Sequence, residues 1–141
     1  MIVYTDMVAD LYHYGHINWI QSIYNKLIKN TDNKLYVGIH SDETVMTYKR
    51  KPIMILEERI KSVSCIKLID QIIPNAPLYI SKEYINKYNI SVVCVPSNRT
   101  QEELNLMCNI PYKLNMIQYF DYDNTISTTQ IINRIKKRTD L

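Results

Sequence analysis

Glycine occurs only twice in the 141 residues, at Gly15 and Gly38, so neither a GxxxxGK nor a GxGxxG phosphate loop can be written anywhere in the chain. No apolar run approaches the roughly 18 residues of a membrane span, and the first residues lack the charged-then-apolar pattern of a leader. An intracellular, cytoplasmic chain with no membrane partner is the expectation. Charge of one sign is also scarce: the formal net charge is +3, and the basic runs are only Lys49-Arg50-Lys51 and Lys136-Lys137-Arg138. A nucleic-acid footprint needs a denser basic face than that. The three cysteines, Cys65, Cys94 and Cys108, are odd in number and have no C-x-x-C spacing. Buried thiols are expected, not bridges or a zinc site.

What remains is an ordinary globular composition, 46% hydrophobic and 22% charged, without repeats or low-complexity stretches. A single domain over 1–141 is the natural reading of that length. Apolar runs bounded by turn residues predict strands at 1–5, 35–39, 68–73, 91–95 and 114–120. Helical spacing falls between them, at 15–29, 56–66, 81–88, 102–108 and 127–137, with a polar stretch over 40–52. Strands that alternate with helices imply an α/β fold with a mostly parallel, doubly wound sheet. Function then belongs at the carboxyl ends of the strands.

One stretch stands at such an end. Asp10-Leu11-Tyr12-His13-Tyr14-Gly15-His16 follows the first strand and leads into the first helix. Free amides and the positive end of the macrodipole favour an anion there, and phosphate is the natural guest. His13 and His16, three apart, face the same bound group, and Gly15 lets the backbone come close. Imidazoles that titrate near neutrality can donate to phosphate oxygens as charge builds on them. Two histidines at a helix start more often have a structural role, so the residues alone leave phosphoryl chemistry as the sharper but less common of two readings.

These residues resemble the HxGH signature of the nucleotidyltransferase superfamily, in the D-L-F-H-x-G-H form of the cytidylyltransferases. Ile126-Ser127-Thr128-Thr129-Gln130-Ile131-Ile132 is similar to that family's second signature, I-S-T-[ST]-x-I-I. Ile69-Asp70-Gln71-Ile72-Ile73-Pro74-Asn75-Ala76-Pro77 resembles the V-D-E-V-V-P-x-A-P of ethanolamine-phosphate and choline-phosphate enzymes, and Glu57-Glu58-Arg59 resembles their E-x-E-R. The resemblance implies a Rossmann-like sheet of about five parallel strands with helices on both faces. It also implies transfer of CMP from CTP to a small phosphorylated alcohol. His13 and His16 would then stabilise charge on the α-phosphate, and Lys49, where the family carries the lysine of H-K-G, would bridge the two substrates.

Nucleotide and phosphate contacts are implied at Thr5, Asp6, Gly15, Asn98, Ile126, Ser127, Thr128 and Thr129, with Arg50 and Lys51 as weaker phosphate contacts. Acceptor contacts are implied at Arg59, Asp70 and Tyr79. Mg²⁺ would come with the triphosphate, held by its oxygens and by water, with no metal site on the protein. A homodimer is the family's common assembly. His40, at a strand end, has no counterpart in the pattern and reads as a polar loop residue.

The departures from the family pattern matter as much. Met7 and Ala9 replace a glycine and a phenylalanine, and Arg50 replaces the glycine of H-K-G. Val95-Pro96-Ser97-Asn98 stands for H-G-N-D, which leaves Asn98 an uncharged acceptor. Tyr122 falls where the family has an arginine, which leaves Arg134 or Lys136 to compensate. Leu78 replaces the tryptophan that a choline site uses for its ammonium, which favours phosphoethanolamine over phosphocholine. Two other readings stay open: an HxGH transferase for another nucleotide or acceptor, of adenylyl or glycerol-phosphate type, and a degenerate nucleotide-binding module without turnover.

Overall fold

The computed structural model describes all of residues 1–141. Its five strands are β1 (Ile2–Met7), β2 (Lys34–His40), β3 (Gln71–Ala76), β4 (Ile90–Pro96) and β5 (Ile117–Phe120), and all run parallel in the order β3-β2-β1-β4-β5. Seven helices connect them: α1 (Tyr14–Ile23), α2 (Asp42–Met46), α3 (Leu56–Ser64), α4 (Lys82–Tyr88), α5 (Gln101–Met107), α6 (Asn109–Lys113) and α7 (Thr128–Lys136). The strand order reverses between β1 and β4, and a crevice opens there at the carboxyl edge.

Period-two alternation sends successive side chains of each strand to opposite faces. On one face Val3, Leu35, Val37, Ile39 and Cys94 pack with Trp19, Ile20 and Ile23 of α1 and Val63 of α3. On the other, Tyr4, Ile73, Val93 and Val95 pack with Ile85 of α4 and Leu104 and Met107 of α5. Gly38 serves this second face. A Cβ there would lie 2.3 Å from the Tyr4 hydroxyl and 2.7 Å from the Ala76 Cβ, so only glycine leaves room for the phenol that meets Tyr84 at 3.2 Å.

Four elements differ from the sequence expectation. The third strand is shifted from 68–73 to Gln71–Ala76, and Pro74 lies inside it, paired with Ile39. β3 is an edge strand, so the amide that proline lacks is not missed on the open side. Leu68 and Ile69 are instead half-buried beside α3. The fifth strand begins only at Ile117. The residues before it form α6, and Asn115 at φ 53° turns the chain. Within the polar 40–52 stretch, Ser41 caps α2 by accepting from the Thr44 amide. Helix α1 ends at Ile23 and widens into a π-type turn over 24–28. Of the thiols, Cys94 and Cys108 are buried as expected, and burial pushes both up to about 12. Cys65 is exposed, at the C-terminal end of α3 where the helix leaves the core. No helix is long and apolar enough to cross a membrane.

Candidate active site

The two histidines cap each other's helix turn. His13 is the N-cap of α1, and its Nδ1 accepts from the Gly15 amide at 3.1 Å, while His16 Nδ1 accepts from the His13 amide at 3.1 Å. A ring nitrogen that accepts carries no proton, so each neutral imidazole is the Nε2–H tautomer. The ring centroids are 4.0 Å apart, and Tyr12 stacks on the far face of His16 at 5.4 Å. Gly15 is required by this packing: a Cβ would meet the His13 ring at 2.8 Å and Ile126 at 3.1 Å.

Both imidazoles are held below their ordinary range, and His16 does not titrate near neutrality as the sequence led one to expect. Burial lowers His13. His16 is lowered to about 4, first by burial and then by the neighbouring His13 and Lys49 charges, against a smaller opposite pull from Asp10. Both are therefore favoured in the neutral form, and both line a cavity of about 700 Å³ at the β1/β4 crevice. Beyond His13, Nε2 lies 3.5 Å from Thr128 Oγ1, which itself donates to the Asp10 carbonyl at 2.8 Å.

Asp10 fixes the loop that carries this pair. Its carboxylate accepts from the amides of Leu11, Ile53 and Met54 at 3.1, 2.8 and 2.9 Å. Flanking Ala9 and Leu11 hold left-handed backbone at φ 58° and 45°. Such conformations persist only where surrounding bonds impose them, as those of Asp10 do here.

Lys49 reaches the cavity from the loop after α2, where its amide donates to Val45 at 2.8 Å. Desolvation at the rim and the charges of Arg99 and Arg50 lower its pKa. Arg50 also lines the cavity and donates to Thr129 Oγ1 at 3.2 Å, tying this loop to the start of α7. Ser127 caps α7, so the hydroxyls and amides of Ser127, Thr128 and Thr129 edge the same space. His13, His16 and Lys49 are thus brought together, although they come from two segments more than 30 residues apart.

Other expected positions divide. Thr5, Asp6 and Asn98 line the cavity. Thr5 is fully engaged, accepting from Trp19 Nε1 at 3.0 Å and donating to the Cys94 carbonyl at 3.3 Å. Ile126 packs beside Gly15 and does not face the cavity.

The three acceptor contacts are corrected. Arg59 is 0% exposed and bonds to the carbonyls of Met54, Val8 and His40 and to Asp42 at 2.5 Å, so its guanidinium clamps the loops behind the site and has no face left for a substrate. Asp70 precedes β3, at the amino edge of the sheet, where it accepts from the Leu35 amide and pairs with Lys34 at 3.3 Å. Tyr79 is exposed, while Leu78 and Ile80 on either side of it line the cavity. Lys51, Arg134 and Lys136 are exposed and away from the cavity.

Three cavity residues escaped the sequence reading. His40 is the last residue of β2, 2% exposed, and not a loop residue. Its Nε2 lies 3.6 Å from Asp6, on the same sheet face, and its Nδ1 lies 3.0 Å from the Ala76 carbonyl. Burial pulls its pKa down, but the Asp6 carboxylate and that carbonyl more than offset this and raise it. Tyr48 stands over it, ring centroids 6.1 Å apart. Arg99, in the turn after β4, is the third. A register count would have put His40 on the Asp6 face; nothing local marked Tyr48 or Arg99.

No cluster of three or more metal-ligating side chains exists. Asp10 is taken up by three backbone amides, and Asp6 faces His40.

The sequence model of the cytidylyltransferase-like family matches residues 5–134. An ethanolamine-phosphate cytidylyltransferase of Arabidopsis thaliana is 31% identical over 140 residues, an alignment that covers 95% of this chain and 32% of that protein. This chain therefore spans about a third of that relative's length. A protein named FAD synthase, from Thermococcus onnurineus, is 29% identical over 135 residues, covering 91% of this chain and 86% of its own. Among solved structures, the lipopolysaccharide core biosynthesis protein from Thermoplasma volcanium superposes with a TM-score of 0.68 at 20% identity, over 88% of this chain and 98% of that one, and shares the fold.

Proposed function

The chain belongs to the cytidylyltransferase-like family, and on that premise we propose that it transfers CMP from CTP to a phosphorylated amino alcohol, phosphoethanolamine ahead of phosphocholine, with release of pyrophosphate. The observation that carries this reading is the pair of neutral Nε2–H imidazoles opposite Lys49 in one cavity. An acceptor phosphate oxygen attacks the α-phosphorus in line, the bond to the β-phosphate oxygen breaks, and pyrophosphate leaves with that electron pair. No covalent intermediate on the protein is needed, so the work is positioning and electrostatics.

His13 and His16 donate from Nε2 to the α-phosphate oxygens. Their Nδ1 atoms are held by backbone amides, so the donors are oriented before substrate arrives. Lys49 adds a full charge between donor and acceptor, and the start of α7 receives the outer phosphates. Mg²⁺, when bound, offsets part of the triphosphate charge.

The acceptor lobe contains the Asp6 and Glu103 carboxylates and Tyr48, with Leu78 in place of a tryptophan. A small ammonium that donates hydrogen bonds to carboxylates suits it better than a bulky quaternary one, which calls for aromatic faces.

A second reading, a transferase for another nucleotide, is favoured by the relative named FAD synthase and by Tyr122 at the position of the family's arginine. Incubation with each of the four NTPs, Mg²⁺ and a panel of phosphorylated alcohols separates them by pyrophosphate release. CTP-dependent turnover with phosphoethanolamine supports the proposal; turnover with another NTP supports the second reading; binding without turnover overturns both. His16→Ala should reduce kcat by about 10²–10³-fold, the usual loss for an oriented donor to a developing charge.

A further inference from the structure

Arg99 is a cation with no anion. It is half-buried at the turn that leads from β4 into α5, and its backbone is fixed by the Arg99 amide donating to the Pro96 carbonyl at 3.2 Å. Its guanidinium Nη1 meets only the Met107 sulfur, at 2.8 Å, a weak acceptor for a charged donor. None of the ion pairs in the protein involves Arg99, and none involves Lys49. Both nevertheless line the same cavity. Two like charges that face each other across a partly desolvated space repel, and the arrangement becomes favourable once an anion sits between them.

The positions say which anion. Arg99 is held against Met107 of α5, on the sheet face of Tyr4, Asp6 and His40, whereas the imidazoles stand at the start of α1 beside Thr128. Lys49 follows Tyr48, whose ring packs on His40 of that same face, and lines the cavity with Arg99 and both imidazoles. A group held between Lys49 and Arg99 therefore lies on the α5 side of the crevice, apart from the imidazoles assigned to the α-phosphate, which is where an attacking acceptor fits. The floor of that lobe is Leu78, Ile80, Met107 and Cys108, which gives the guanidinium a low-dielectric backing.

We propose that Arg99 is a specificity-determining contact for the phosphate monoester of the acceptor, gripping it from the β4–α5 turn jointly with Lys49. A planar guanidinium matches a phosphate through two parallel N–H donors, whereas the Lys49 ammonium acts as a point charge. This inference rests on the cytidylyltransferase reading for its substrate and on the cavity geometry alone for its anion.

The test separates those two. In steady-state assays, Arg99→Gln should raise KM for the phosphorylated acceptor by about ten- to a hundredfold, the usual loss of a hydrogen bond to a charged group, while KM for CTP stays within about twofold. Arg99→Lys, which keeps the charge but loses the paired donors, should recover part of the loss. Calorimetry with phosphoethanolamine or inorganic phosphate in the absence of nucleotide should show binding to the wild type and none to Arg99→Gln, with near-identical thermal unfolding of the two proteins. That arm needs no turnover: if wild type binds phosphate through Arg99 yet turns over no acceptor, the catalytic reading fails and the anion contact stands. An Arg99→Gln protein with raised KM for CTP alone, or with unchanged phosphate binding, overturns the proposal.

Discussion

At the scale of single residues, the site depends on which protons the histidines carry. His13 and His16 are neutral because burial opposes charging, and their backbone bonds fix where the remaining proton sits. A base held below its unfolded pKa is protonated first in the unfolded chain, so folding stability from His16 is complete above about 6.5 and is lost as pH falls toward about 4. An NMR titration of the His16 ring should show a midpoint near 4 in the free protein. Nucleoside triphosphate should raise that midpoint, because an anion against Nε2 favours the imidazolium. A free-protein midpoint near 6.5 would mean the ring is solvated and not part of a packed cap.

At the scale of elements, the site is a meeting of loops, and two buried groups hold the loops together. Asp10 joins the turn after β1 to residues 53 and 54, and its carbonyl takes the Thr128 hydroxyl at the start of α7. Arg59 joins α3 to the ends of β1 and β2. Both lie in motif-like stretches, and the sequence cannot tell whether such a group touches substrate or holds the loops that do. Arg59→Met distinguishes them: stranding Asp42 and the Val8 and His40 carbonyls should lower unfolding free energy by about 3–5 kcal/mol in urea titrations. A substrate contact would instead raise KM at unchanged stability. Gly15 belongs at this scale too, since its missing Cβ is what lets the His13 ring fold back onto the helix start.

At the scale of the whole molecule, the parallel sheet sets the location of the site, because reversal of strand order between β1 and β4 leaves one open crevice at the carboxyl edge. The two faces of the sheet give that crevice two lobes. Thr5 and Trp19 lie toward α1, while Asp6, His40 and Met107 lie toward α5. A ligand that bridges both lobes binds only the folded chain. CTP with Mg²⁺ at about a hundredfold excess over Kd should therefore stabilise it by about 2.7 kcal/mol, seen as a higher Tm. Chelation of Mg²⁺ should abolish turnover and leave Tm of the free protein unchanged, since no protein metal cluster supports the fold. A fall in Tm on chelation would reveal a resident metal.

The sequence by itself determined the alternation of strand and helix, the residues at the start of α1 and α7, and the family to which they point. These features depend on runs of a few consecutive residues, whose periodicity, caps and missing side chains act locally. Only the tertiary structure decided that Asp70 pairs with Lys34 at the wrong edge, that Arg59 is consumed by carbonyls, that His40 faces Asp6, and that Arg99 lines one cavity with Lys49. Those outcomes turn on burial and on partners tens of residues away. Whether a charge is spent on its own protein or left for a ligand is settled only when the chain has closed around it.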